Sequence, residues 1–126
     1  MWGPYPSATM SGHQGFLDSH DHENCPAELA LRVMRGRWKV QILRELAEGT
    51  RRFSALRRAL AGVSEKVLTS QLRELEMEDV LSRTIHPEVP PRVEYALTPK
   101  GLQLISVLEA LHAWGTSVTT DTSAGT

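Results

Sequence analysis

The chain has 126 residues, 40% of them apolar, a size that fits one folded domain with flanking tails and no second domain. A single cysteine excludes an internal disulfide, and no apolar run approaches the roughly 18 residues of a membrane span. The net charge is −1, but residues 25–115 hold all 14 basic side chains against 11 acidic ones, a sum of +3. Nucleic-acid binding would therefore depend on a local basic patch.

The two ends of the chain lack a core-forming pattern. Residues 1–22 mix Gly, Pro, Ser and His, and residues 117–126 are mostly Thr, Ser and Gly, so we expect a domain of residues 23–116 between two flexible tails. The first segment also lacks the basic start and apolar stretch of a signal peptide, and we expect a cytoplasmic protein. The spacing of His20, His22 and Cys25 matches no common zinc site, so we predict no metal and no cofactor.

Helices are predicted along the first two thirds of the chain. The first starts after Cys25 with Pro26 at its first position, and its apolar residues cover an arc wider than one packing partner needs. Two shorter helices follow, separated by an extended segment after Gly49. The fourth helix is the longest of these, with Ser64 as its N-cap and Glu65 in the first turn.

Strand patterns appear only after the fourth helix. Residues 81–85 and 93–97 alternate around a proline-rich loop and predict a β-hairpin. Thr98 and Pro99 then start a last helix that we expect to end near Trp114. This order is typical of a winged helix-turn-helix, so the predicted fold class is mainly α with a small β-hairpin wing (α+β).

The fourth helix separates apolar from polar side chains. Leu68, Leu72 and Leu75 cluster on one side. The opposite side carries Lys66, Thr69, Ser70 and Arg73. Ammonium, guanidinium and hydroxyl groups can bond base edges and phosphates in a major groove, although an ordinary solvated helix face is the alternative. Because the helix becomes acidic towards its C-terminus, we expect only its first turns to approach DNA.

The hairpin loop is stiffened by proline. Pro90 and Pro91 precede Arg92, and a loop that is already ordered avoids the cost of about 1–2 kcal/mol per residue for ordering backbone on binding. We therefore expect Arg92 to reach phosphates or a narrow minor groove. Prolines that only protect a hairpin end from edge pairing are the alternative.

Basic residues near helix ends complete the predicted DNA-binding set. That set comprises Ser64, Lys66, Thr69, Ser70, Arg73, Arg92, Arg52, Arg37 and Lys39. The chain shows no nucleophile with its base, no paired carboxylates and no glycine-rich phosphate loop, so we expect no enzyme. A winged-helix protein-interaction module without specific DNA binding is the alternative function.

An ordered set of motifs resembles one known family. The motifs are a lone Cys-Pro opening, Gly-x-Trp-Lys at 36–39, Arg-Phe-Ser at 52–54, SEKVLTSQLRELE, VPPRVEYALTPKG and a closing Trp-Gly. Over residues 25–115 the chain resembles the HxlR-type family of bacterial winged helix-turn-helix transcriptional regulators. The resemblance implies a cytoplasmic homodimer, joined by its first and last helices, that reads a palindromic operator in double-stranded DNA. We expect it to act as a repressor.

The chain departs from the family pattern at the turn into the wing. The segment EMEDV replaces the usual Glu-x-Asp-Gly, so this turn lacks its glycine. Arg37 also stands where the family usually has lysine, which keeps the charge.

Two features suggest an effector. Some family members resemble oxidant sensors that use the N-terminal cysteine, and Cys25 lies where a helix dipole favours a negative charge, so it is a candidate redox sensor. A silent, partly buried cysteine is the alternative. A small-molecule effector could also bind a cleft lined by Trp38 and Trp114, although tryptophans at helical spacing more often belong to the core.

Overall fold

The structure, a computed structural model, describes residues 25–125, with side chains up to Thr119. In this range the elements run α1 (Pro26–Met34), α2 (Lys39–Ala47), β1 (Arg51–Arg52), α3 (Phe53–Ala59), α4 (Glu65–Met77), β2 (Leu81–His86), β3 (Arg92–Leu97) and α5 (Pro99–Gly125). This order confirms the predicted winged helix-turn-helix. The predicted N-terminal tail lies outside the described residues. No helix within 25–125 combines the length and apolarity needed to cross a membrane.

The chain divides into two units, Met1–Arg35 and Gly36–Thr126. In the first unit, α1 has proline at its start, as predicted, and the side chain of its N-cap residue Cys25 makes no capping hydrogen bond. The second unit contains all the other elements. The predicted single domain of residues 23–116 stays a prediction.

The core of the second unit is formed by one face of each of its first three helices and by the start of the wing. Its largest fully buried side chains are Ile42, Leu43, Leu56, Leu68, Leu72, Leu75, Val80 and Leu81. The leucines of α4 recur every three or four residues and therefore share one helix face. Their burial fixes which side of α4 points inward and leaves the opposite side to solvent.

The wing is an antiparallel sheet with the strand order β1-β3-β2. The predicted hairpin is present as β2 and β3, and β1 adds a third strand at its edge, with Arg51 opposite Tyr95 and Arg52 opposite Glu94. A strand of two residues is too short to show an alternating pattern, so its sequence does not reveal the pairing. The wing is thereby tied to the segment that leads into α3.

Helix α4 ends in a left-handed turn at Asp79, which has a φ of 62°. The amide of Asp79 bonds the carbonyl of Glu76 at 2.9 Å, and the amide of Val80 bonds the carbonyl of Leu75 at 3.1 Å. These two bonds form a Schellman motif, in which the left-handed residue is usually glycine. Asp79 is the residue found where the resemblance led us to expect glycine, and aspartate is one of the few residues that tolerate this conformation.

The start of α5 docks on the residue that follows this turn. Thr98 caps the helix as predicted, since its Oγ1 accepts from the amide of Gly101 at 3.1 Å and donates to the carbonyl of Asp79 at 2.6 Å. A Cβ at Gly101 would overlap the carbonyl oxygen of Val80, and that oxygen also accepts the amide of Thr98 at 3.1 Å. The Val80 carbonyl therefore links the end of α4, the first strand of the hairpin and α5.

The predicted end of α5 was wrong, because the helix continues past Trp114 to Gly125. Thr, Ser and Gly are weak helix formers, but each residue added to an existing helix gains one backbone hydrogen bond. The hydroxyl of Thr119 also donates to a carbonyl one turn earlier, at 2.7 Å. The flexibility expected for residues 117–126 stays a prediction.

Candidate nucleic-acid interface

Helix α4 presents a polar stripe opposite its buried leucines. Ser64 is the N-cap, as predicted, and its Oγ accepts from the amide of Val67 at 3.1 Å. The exposed or half-exposed members of this side, called the recognition stripe below, are Lys66, Thr69, Ser70 and Arg73. Neither Lys66 nor Arg73 forms an ion pair with any described residue. Two cations therefore remain available on the exposed side of the helix.

Lys39 holds α4 in place and does not face solvent. The residue was placed in the predicted DNA-binding set, but it is only 8% exposed and its Nζ donates to Glu74 Oε1 at 2.5 Å. A buried charge of this kind depends on its partner, since breaking the pair leaves an uncompensated charge. Lys39 is therefore removed from the candidate interface and assigned to the link between α2 and α4.

Arg37 and Arg52 remain at the surface of the second unit. The guanidinium of Arg37 lies 4.7 Å from the centroid of the Trp38 ring, a cation–π arrangement. Arg52 is exposed on β1 and forms no ion pair with a described residue. Trp38 belongs to the core, which was the alternative to an effector cleft, whereas Trp114 is 67% exposed.

A groove of about 560 Å³ separates α4 from the wing. Thr69 contributes to the α4 wall, and Arg52, Arg83 and Tyr95 contribute to the opposite wall. Burial raises the pKa of the Tyr95 phenol, so Tyr95 adds no charge to this wall beside the two arginines. The loop of residues 88–91 lines the same groove, so the recognition stripe and the tip of the wing flank one opening.

The charged side chains at the end of the wing are paired with one another. His86 Nε2 donates to Glu94 Oε1 at 2.9 Å, and this bond is the main reason that the pKa of Glu94 lies below its ordinary value. Arg92 Nη2 lies 3.2 Å from Glu88 Oε2, and its Nε lies 3.7 Å from Glu94 Oε2. Arg92 is therefore held between two carboxylates of the wing.

The tip of the wing is apolar. Val89 is fully exposed at 101%, and Pro90 and Pro91 are exposed beside it, with a cis peptide bond between Val89 and Pro90. These three residues, called the wing tip below, were not among the predicted site residues. An apolar residue placed between an acidic residue and two prolines in a hairpin loop was the signal that could have identified Val89.

The candidate sensor and metal ligands lie at the N-terminal end. Cys25 is a free thiol of intermediate exposure. His20 and His22 lie outside the described residues. Among the residues that the structure does describe, no three His, Cys, Asp or Glu side chains are grouped closely enough to hold a metal ion.

Known proteins match the chain in both sequence and structure. A family model described as HxlR-like helix-turn-helix matches residues 33–123. The chain is 49% identical over 92 residues to the HTH-type transcriptional regulator YtfH of Escherichia coli K12, covering 73% of each chain. A MarR-family transcriptional regulator from Enterococcus faecalis V583 has a TM-score of 0.74 at 37% identity, over 85% of this chain and 96% of that chain. The redox regulator HypR in its reduced form has a TM-score of 0.70 at 37% identity, over 73% of this chain and 91% of that chain.

Proposed function

From the premise that the chain belongs to the HxlR-like helix-turn-helix family and is a DNA-binding transcriptional regulator, we propose that it represses transcription by binding a palindromic operator as a homodimer. The recognition stripe carries this proposal. Lysine and arginine can bond guanine edges and phosphates, and threonine and serine can bond either. Two stripes related by a two-fold axis would read half-sites about 34 Å apart.

The proposed contacts follow from exposure and pairing. Lys66 and Arg73 bind base edges, because they are exposed and form no ion pair with described residues. Ser64, Thr69 and Ser70 bind bases or phosphates beside them, and Arg52 and Arg37 anchor phosphates. Arg92 belongs to the interface through its position in the wing.

Helix α5 supports the proposed homodimer. Val107, Leu111 and Trp114 recur at helical spacing and are 43%, 48% and 67% exposed. An exposed apolar stripe of this kind marks an interaction surface. Light scattering should therefore find a dimer that Leu111→Asp converts to a monomer, while Ala113→Asp, on the opposite side of the same helix, leaves the dimer intact. A monomeric wild-type protein would contradict the homodimer.

Operator binding is tested by fluorescence anisotropy. The purified chain is titrated against duplexes tiled across the DNA upstream of its own gene and against a scrambled duplex at the same salt concentration. We expect one palindromic tile to bind on the order of a thousandfold more tightly than the scrambled duplex. Repression is expected when that tile overlaps a promoter in an in vitro transcription assay. Equal weak binding to every duplex would contradict specific binding of an operator in this DNA, and increased transcription would contradict repression.

Thiol oxidation at Cys25 is a second, regulatory candidate. The likeness to the redox regulator HypR favours it, and so does the partial exposure of a free thiol at the start of α1. The proposed step joins the Cys25 thiols of two protomers into one disulfide, and a hydroperoxide oxidant is reduced to alcohol and water. Peroxide should change operator affinity in the wild type but not in Cys25→Ser, and an identical response of both proteins would contradict the sensor.

We also propose that the protein acts in the cytoplasm and has no catalytic role. The single cysteine and membership of a family of transcriptional regulators support both parts of this proposal. A search for hydrolase activity with generic ester and phosphoester substrates should give no turnover above buffer.

A further inference from the structure

The hairpin of β2 and β3 brings no net charge to the DNA. Between residues 81 and 97 the charged side chains are Arg83 and Arg92 against Glu88 and Glu94, which sum to zero. Both arginines are also paired: Arg83 Nε lies 3.6 Å from Glu76 Oε1, and Arg92 contacts both wing glutamates. Electrostatic attraction to phosphates therefore acts on the recognition stripe and on Arg52 of β1, and it does not act on the hairpin of β2 and β3.

The loop at the end of the wing is exposed and apolar, and its shape is restricted. Val89 is 101% exposed, and the two proline rings that follow restrict the backbone on its C-terminal side. Glu88 and Arg92 lie immediately before and after the wing tip, so their ion pair closes the loop beneath it. A loop held in this way loses little entropy when it docks.

We propose that the wing tip contacts the deoxyribose walls of the minor groove beside the base pairs read by α4, and that this contact is apolar and not ionic. The proposal rests on the proposed function, since it needs specific operator binding. Its geometric basis is the groove that the wing tip shares with Thr69 of the recognition stripe. Arg92 is then a positioning residue, whose pairing keeps the loop in its docking shape.

Sugar walls suit this surface better than phosphates do. Apolar side chains, proline among them, are used by minor-groove proteins to contact the interior of the groove. If Arg92 moved to a phosphate instead, it would leave Glu88 and Glu94 facing a polyanion. Docking through Val89 keeps both carboxylates paired with Arg92 and keeps the hydrogen bond between His86 and Glu94.

Substitution of the exposed valine tests the apolar contact. Val89→Ser should weaken operator binding by about tenfold, because a buried apolar contact is lost, and should leave the slope of log affinity against log salt unchanged. Met77→Ser is the matched control: Met77 is 80% exposed at the acidic end of α4, and its substitution should not change affinity. If the wild type binds the operator specifically and Val89→Ser binds equally well, the inference is overturned. A wild type that binds no duplex specifically contradicts the proposed function instead.

The role of Arg92 is tested by the salt slope and by a double-mutant cycle. A lost phosphate contact would flatten the slope by about 0.9, whereas we expect Arg92→Ala to change it by less than about 0.2. Arg92→Ala should cost about threefold in affinity in the wild type and nothing further in the Val89→Ser background, because it acts through the wing tip. The positioning role would be overturned if Arg92→Ala flattened the salt slope by about 0.9. It would also be overturned if the affinity loss of the double variant equalled the product of the losses of the two single variants.

Discussion

The recognition stripe and the wing tip lie on two sides of one groove and differ in chemistry. Lys66 and Arg73 on the stripe form no ion pair with described residues, whereas Arg83 and Arg92 of the wing are both paired with glutamates. The wing tip instead presents a fully exposed valine. The comparison teaches that the availability of an arginine for DNA depends on its partners within the fold and cannot be inferred from residue type alone.

The two regions are also held in place differently. Helix α4 is fixed by buried leucines and by the ion pair of the buried Lys39 with the half-exposed Glu74, while the wing is fixed by strand pairing and by ion pairs at the surface. Surface ion pairs contribute only about 0–1 kcal/mol each. Variants of the stripe should therefore change DNA affinity strongly, whereas variants of wing charges should change it weakly.

Charge reversal on the stripe should give the largest effect. Lys66→Glu places a carboxylate against DNA, and we expect operator affinity to fall by about a hundredfold or more. Lys100→Glu is the control, because Lys100 is exposed on α5 away from the proposed contacts. Equal losses for both variants would mean that total charge, and not the stripe, determines binding.

The close contact between Gly101 at the start of α5 and the Val80 carbonyl should not tolerate an added methyl group. Gly101→Ala forces a methyl group against the Val80 carbonyl, and we expect the free energy of unfolding in urea to fall by about 1–3 kcal/mol. Gly115→Ala is the matched control, since nothing lies within 4 Å of an added Cβ there, and it should be neutral or stabilising by up to about 1 kcal/mol. Similar losses at both glycines would show that close approach to Val80 is not the cause.

The turn at Asp79, between the recognition stripe and the wing, should be stabilised by a substitution to glycine. Asp79→Gly relieves the cost of a left-handed aspartate, although glycine also has more conformational entropy in the unfolded chain. On balance we expect the free energy of unfolding, measured by thermal unfolding, to rise by about 0.5 kcal/mol. Asp79→Ala should instead lose about 1 kcal/mol, because alanine resists this conformation. Destabilisation by both substitutions would indicate that the aspartate side chain, and not the backbone, matters here.

The smallest effect is expected from protonation at the wing. The fold lowers the pKa of Glu94 from its ordinary value of 4.5, so its carboxylate contributes stability above that pH and loses it as the pH falls through the lower folded value. The difference in melting temperature between the wild type and Glu94→Gln should therefore be positive at neutral pH and shrink as the pH falls below 4.5. A difference that persists at low pH would show that the carboxylate charge does not stabilise the wing.

Local signals predicted much of the fold. Ser64 and Thr98 each cap a helix through short-range bonds, and the alternation of β2 and β3 predicted their pairing. Two contacts join residues that are far apart in sequence, namely the pairing of β1 with β3 and the ion pair of Lys39 with Glu74. No local sequence pattern predicts such contacts. At the candidate site the stripe was predicted from its period.

The pairing of Arg92 was not predicted, although its partner Glu88 is only four residues away. The four-residue spacing alone could not predict this ion pair, because opposite charges four residues apart meet reliably only on a helix. In a loop they meet only if the loop folds back on itself, which the proline-rich tip does here.

The shared carbonyl of Val80 has a mechanical consequence. Helix α5 has 27 residues and, at about 1.5 Å per residue, forms a rod about 40 Å long whose first turn is clamped to the end of α4. In the proposed dimer, a small tilt of this rod would act as a lever that swings each recognition stripe relative to its half-site. A conformational change near the dimer helices would then alter DNA binding through a rigid-body movement of α5, without a rearrangement of the core.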